Sequence, residues 1–266
     1  MTIPITTELI KNLRDETSVS VMQCKKALEE AGGDREKALV ILKKKSSDIA
    51  AKKADRVATD GTIVIKKANG KGVILALNCE TDFVAKNSDF ITLAEKLADK
   101  ALADGVELLK ANAPTMINDV IQKIGENIQL GEIVELSAPI LGSYVHNGKT
   151  GVLVALSGDL DMETGENLGK DIAMHIVAMK PEYKTKDDIP ADKRATAESI
   201  FNEEVNASGK PEDIKKKILE GKLNTYFAEQ TLYDQPFVKN PDISIAKLLA
   251  QNGNVNVVSF MRLSIK

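Results

Sequence analysis

The chain has 266 residues, 43% of them hydrophobic and 28% charged, with a formal net charge of −3. That length supports more than one compact unit, no apolar run approaches the ~20 residues of a membrane span, and the overall acidity disfavours broad nucleic-acid binding. The two cysteines, Cys24 and Cys79, stand in unrelated contexts and form no metal or redox pair, so a reducing cytoplasm is the expected compartment.

Met1 to Ile5 has neither the basic nor the apolar region of a secretory leader. Residues 1–54 carry 11 basic and 8 acidic side chains, a surplus of +3 set against −6 over the remainder. They read as three short helices. Leu9, Ile10 and Leu13 form one apolar face. Ser20 with Gln23 three residues on is a capping-box pattern that starts the second helix, and Gly32-Gly33 stops it. Asp34 caps a third helix carrying Ala38, Ile41 and Leu42. Three helices of this size make a bundle of ubiquitin-associated type, a fold-level analogy. The Lys-rich stretch Lys43–Lys53 is expected to begin helical and then become linker.

An internal repeat follows. Asn69-Gly70-Lys71-Gly72-Val73-Ile74-Leu75-Ala76-Leu77 resembles Asn147-Gly148-Lys149-Thr150-Gly151-Val152-Leu153-Val154-Ala155-Leu156. Strand-forming residues precede each copy (Thr62–Lys66, Gly142–Val145), and Asn-Gly between two such runs signals a hairpin. A helix-period segment follows each, Phe90–Leu102 and Glu166–Met179. The fold class is therefore α+β: a two-lobed, pseudo-repeated core with antiparallel sheets behind the N-terminal bundle. Boundaries are set at 1–54 for the bundle, 55–140 for the N-lobe and 141–182 for the C-lobe.

Beyond Asp187-Asp188-Ile189-Pro190 the pattern changes. Ala191–Ser208, lined by Ala197, Ile200, Phe201 and Val205, and Pro211–Phe227, lined by Ile214, Ile218, Leu219 and Leu223, read as an antiparallel helical hairpin with coiled-coil character over 183–227. Residues 228–266 return to the C-lobe through Gln235-Pro236-Phe237-Val238, a helix over Ile245–Gln251 and a strand over Val255–Ile265.

Chemistry is sparse. Gly142–Thr150 looks like a phosphate loop, but its first Gly is one residue too early and a strand follows where a helix N-terminus is needed, so it reads as the second hairpin. The two histidines, His146 and His175, lack triad partners; His175 reads as a packed helix residue and His146 as an exposed turn residue. No ligands cluster for a metal, and nothing points to an enzyme. The connection Asn78-Cys79-Glu80-Thr81-Asp82-Phe83-Val84-Ala85-Lys86-Asn87 is the most telling segment. It places Phe83 in a polar loop between strand and helix, in a chain with 6 Phe, 4 Tyr and no Trp.

Leu13-Arg14, Thr17, Met22–Leu28, the Asn78–Asn87 segment, Ala173–Ile176, Lys180-Pro181-Glu182 and Gln235–Val238 resemble bacterial elongation factor Ts in the same order along nearly the whole chain. The resemblance implies a guanine-nucleotide exchange factor in translation elongation. Its partner would be elongation factor Tu, a GTPase, and the chain would bind no nucleotide or cofactor itself. It implies that Asp82 and Phe83 intrude near the partner's magnesium and phosphate site, and that Lys25, Ile124, Gly125, His146 and Val238 are further partner contacts. Many members continue past the final strand into a helical module; this sequence stops at Lys266, so contacts from that module are expected to be missing. A homodimer through the core or the hairpin stays open. The alternative is an RNA- or ribosome-associated scaffold without exchange activity, using the lysine faces at 43–45 and 215–217.

Overall fold

The computed structural model describes residues 4–17, 19–253 and 255–265; Met1–Ile3, most of the segment read for a leader, and Lys266 lie outside the described residues. Three helices open the chain, α1 (Thr7–Thr17), α2 (Val21–Glu30) and α3 (Arg35–Lys53). Their starts follow local chemistry. The Ser20 hydroxyl accepts from the Gln23 amide, and Asp34 accepts from the Lys37 amide at 3.0 Å, each satisfying a free N–H of the first turn. Leu13, Cys24, Ala27, Leu28, Ala38 and Leu42 close a small core.

The stretch Lys43–Lys53 departs from expectation: it is helix to its end. The cause is tertiary. Ile49 and Ala50 pack against the N-lobe core, and Lys53 donates to the Gly125 carbonyl, so α3 spans from the bundle onto the core.

The N-lobe contains β1 (Asp60–Ala68), β2 (Lys71–Cys79), a single helical turn α4 (Asp82–Ala85), α5 (Ser88–Asp104), α6 (Val106–Ile124) and β3 (Ile128–Ser137). The C-lobe contains β4 (Ile140–His146), β5 (Thr150–Ser157) and α7 (Met162–Met179). Beyond the hairpin helices α8 (Ala191–Asn206) and α9 (Glu212–Gln230) come β6 (Pro236–Phe237), β7 (Asn240–Ser244), α10 (Ile245–Gln251) and β8 (Asn256–Ser264). The sheets run β1-β2-β3 and β4-β5-β8, all antiparallel. Each repeat is thus a hairpin whose second strand also pairs with a strand arriving later, and β8 returns to the C-lobe as expected. β4 starts at Ile140, one residue inside the segment assigned to the N-lobe.

Both hairpins turn through left-handed Asn-Gly pairs, with φ of 51° and 74° at Asn69-Gly70 and 51° and 69° at Asn147-Gly148. The second carries one extra residue: His146 pairs with Thr150, leaving Lys149 bulged out of the ladder. The sheets face each other across Ile63, Ile74, Ala76, Leu141, Leu153, Ala155 and Leu263. The repeat-related glycines sit at this close approach. A Cβ on Gly72 would lie 3.0 Å from the Leu153 side chain, and one on Gly151 would lie 2.5 Å from Ile63. Helices cover the outer faces, α5 and α6 on the N-lobe, α7 and α10 on the C-lobe.

The helices α8 and α9 form the expected hairpin, with Phe201 edge-on to Tyr226 at 5.4 Å. Two residues assigned to its seam are not there. Ile200 and Ile214 are exposed, while Ala197 and Val205 are buried. Positions 197, 201 and 205 are four apart and share one face; Ile200 is turned ~100° away from Phe201, and Ile214 lies in the first turn of α9 at the free tip. α9 runs to Gln230, past the expected end at Phe227.

Candidate functional site

The segment read as a loop after β2 is built as a capped turn. Thr81 is the N-cap: its hydroxyl accepts from the Val84 amide at 3.3 Å. One helical turn then points Val84 and Ala85 into the N-lobe core and leaves Asp82 and Phe83 outside. Phe83 is 82% exposed, while its sequence neighbour Val84 is 8% exposed, so the ring is withheld from the core by the turn itself. Asp82 pairs with Lys86 at 2.8 Å, which holds the Lys86 ammonium above its ordinary pKa.

A second loop locks this turn. Glu126 accepts from the Thr81 amide at 3.1 Å and from the Thr81 hydroxyl at 2.8 Å, one carboxylate oxygen for each. Reciprocally, Glu80 accepts from the Asn127 amide at 2.6 Å and lies 3.6 Å from Arg56. Asn127 is buried and donates to the Arg56 carbonyl at 2.6 Å. Charge-assisted bonds of this kind are the strong ones. They set Gly125, whose φ of 87° ends α6, and the half-buried Ile124 beside Asp82-Phe83. Cys79 lies beneath, its thiol donating to the Thr81 carbonyl at 3.2 Å; burial first, then Asp60 and Glu126, push its pKa up to about 12.

The C-lobe turn reaches the same end. Lys149 bonds the Asp60 carboxylate and donates to the Gly61 carbonyl at 3.0 Å, and the Ile63 amide donates to the Gly148 carbonyl at 2.7 Å. Asp60 pairs across the ladder with Cys79, three residues before Asp82. Burial works against the Asp60 charge, but the Lys149 and Gly61 hydrogen bonds outweigh it and hold the carboxyl below its usual range. His146 is exposed at the end of β4, its Nδ1 3.1 Å from the Tyr144 hydroxyl.

Val238 reaches this end through a buried histidine. The Val238 amide donates to His175 Nδ1 at 3.2 Å, so the ring proton sits on Nε2 and donates to Gln235 Oε1 at 2.9 Å. Burial lowers the His175 pKa, partly opposed by Gln235. α7 runs alongside β4. Gly165 abuts Ile140, and Gly169 meets the Gly142 backbone, one helical turn per two strand residues. At ~1.5 Å per helical and ~3.3 Å per strand residue, His175 falls level with Val145. Val238 itself is 43% exposed over buried Phe237.

Asp82, Phe83, Ile124, Gly125, His146 and Val238 therefore gather at one end of the paired sheets. Lys25 does not: it is exposed on α2 of the bundle, 3.8 Å from Glu29. Sequence reasoning missed Glu126, Lys149 and the anchoring role of His175. Thr81 carried a legible signal, a Thr just before a short apolar turn; Glu126 carried none, because its partner is 45 residues away. Among the described residues no group of three His, Cys, Asp or Glu could hold a metal, and no helix is long and apolar enough to cross a membrane.

A family model described as elongation factor TS matches residues 80–266. Curated proteins named elongation factor Ts from Yersinia pestis (strain Pestoides F) and Yersinia pseudotuberculosis serotype O:1b (strain IP 31758) are 42% identical to this chain over 268 residues, covering 99% of it and 92% of each relative.

Proposed function

The chain belongs to the bacterial elongation factor Ts family, and on that premise we propose that it releases GDP from elongation factor Tu by binding the nucleotide-free GTPase and pressing the Asp82-Phe83 turn toward its magnesium and phosphate site. The observation that carries this reading is Phe83: a fully presented aromatic ring on a turn whose backbone is clamped by Glu126. Single exposed apolar side chains are common, but a large aromatic ring held out on a clamped turn is the kind of anchor that protein interfaces bury.

No covalent step is involved. A protein that prefers the empty GTPase to the GDP-bound one weakens GDP, and GDP weakens the protein by the same factor. Burying a Phe contributes about 1.5–3 kcal/mol, whereas nanomolar nucleotide binding is about −12 kcal/mol. The ring alone cannot offset that. Ile124, Gly125, His146 and Val238, gathered at the same end, and Lys25 on the bundle supply the remaining contact in this reading. The clamp matters because a preformed turn loses little entropy on docking. Asp82 adds a negative charge at the tip, directed at the metal or against phosphate.

Stopped-flow release of fluorescent GDP from elongation factor Tu tests the proposal. The chain should accelerate release steeply while binding neither GDP nor GTP itself. Nucleotide binding by the isolated chain would favour an enzyme, and salt-dependent RNA binding without acceleration would favour a scaffold.

A further inference from the structure

We propose that Arg262 is a further contact residue at this end, the receptor for one carboxylate side chain of the partner protein; this rests on reading the end as a protein interface. Arg262 lies on β8 opposite Val152, and Val152 lies opposite Tyr144 on β4. Residues directly opposite in antiparallel strands share a face. Val152 belongs to the helix-side core of the C-lobe, and Tyr144 and Phe260 pack on the same core, whereas Met261 and Leu263 face the other sheet. Arg262 thus sits on the outer face, level with Tyr144 and about 10 Å across the sheet from it. Tyr144 in turn holds His146.

Its state sets it apart. Among the described residues, the other four arginines are engaged: Arg14 with Asp15, Arg35 with Glu16 and Glu36, Arg56 with Glu80, and Arg194 with the Ile189 and Lys186 carbonyls. Arg262 makes no ion pair among them, and its Nε is buried without an acceptor. The Nε itself is closed to an incoming group, but the residue is only half-buried and its two terminal nitrogens are neither buried nor paired, so they are the donors an incoming carboxylate meets. The guanidinium stays charged at every accessible pH and presents a planar fork that matches a carboxylate.

A nucleic-acid strand fits worse, because it needs a row of free cations. Four of the lysines around this end are already taken: Lys149 by Asp60, Lys86 by Asp82, Lys53 by the Gly125 carbonyl and Lys239 by Asp171. A single open fork suits a single acidic side chain.

The test compares full-length wild type, Arg262→Gln and Arg262→Lys for affinity to nucleotide-free elongation factor Tu at low and high salt, for GDP release at saturating concentration, and for thermal unfolding. Arg262→Gln should weaken association about tenfold at low salt, with the gap narrowing at high salt. Arg262→Lys, which keeps the charge without the fork, should fall between and also covers the case in which Gln fails to fold. Release at saturation should slow by no more than the factor lost in affinity for the empty GTPase, because that factor bounds the loss of coupling. Affinities within twofold of wild type would overturn the assignment, as would a loss that is independent of salt and tracks lowered stability, or a loss confined to RNA binding. A wild-type chain that binds tightly without accelerating release would overturn the exchange reading and leave the Arg262 assignment standing; a chain that does not bind would overturn both.

Discussion

Replacing Phe83 by Ala separates folding from function with numbers taken from the structure. The residue is 82% exposed, so only about a fifth of a side chain worth at most ~3 kcal/mol when buried contributes to the fold. Truncation should cost about 0.5 kcal/mol of stability, a shift of about 2 °C or less for a chain of this size. Neither the Thr81 cap nor the Glu126 clamp uses a Phe83 side-chain atom, so the turn survives. Against the partner the balance reverses: burying the exposed part is worth roughly 2 kcal/mol, a factor of about 30 in GDP release. Paired measurements of GDP release and thermal unfolding decide the matter. A drop of several degrees with proportionate loss of release would make Phe83 a core residue. Unchanged release with unchanged stability would remove the ring from the mechanism.

The clamp, the buried histidine and the lobe packing give further expectations. Glu126→Gln, which keeps only one of the two acceptor oxygens, should cost about 1–2 kcal/mol in thermal unfolding, speed amide hydrogen exchange at Thr81 and Val84, and slow GDP release severalfold. His175 has its folded pKa depressed below 6.5 by burial, so its contribution is complete above pH 6.5 and is lost as pH falls toward the folded value, where the unfolded chain already binds the proton. Urea midpoints between pH 7.5 and 5.5 should therefore fall for wild type and fall less for His175→Gln. Gly142→Ala would set a Cβ 2.1 Å from the Gly169 backbone and force α7 off β4; a loss near the upper end of ~1–3 kcal/mol is expected by chemical denaturation.

Much of the architecture was legible because its causes are local. Asn-Gly pairs between β-branched runs demand left-handed backbone, and both hairpins appeared where those pairs stand. Ser20 and Asp34 cap helices because a short polar side chain reaches an amide three residues on. The helix α6 was not read: Pro114 at its middle removes a backbone donor and interrupts the helical signal, yet the helix persists because Leu109, Ala113, Ile117 and Ile121 are held in the core. β3 escaped because its burial does not alternate, Gly131 lying near a register shift against β2.

The sequence by itself determined that an aromatic ring would stand in a polar turn between strand and helix, and that two similar lobes would follow a small helical bundle. Only tertiary structure decided what that turn stands beside. Glu126 meets Thr81 across 45 residues, Lys149 meets Asp60 across 89, and His175 meets Val238 across 63. No local propensity encodes such pairings; they exist because antiparallel sheets packed face to face bring strand ends and turns to a common edge. The same packing keeps Lys43–Lys53 helical where its own composition predicted a linker, since Ile49 and Ala50 gain a buried surface that an isolated Lys-rich segment lacks.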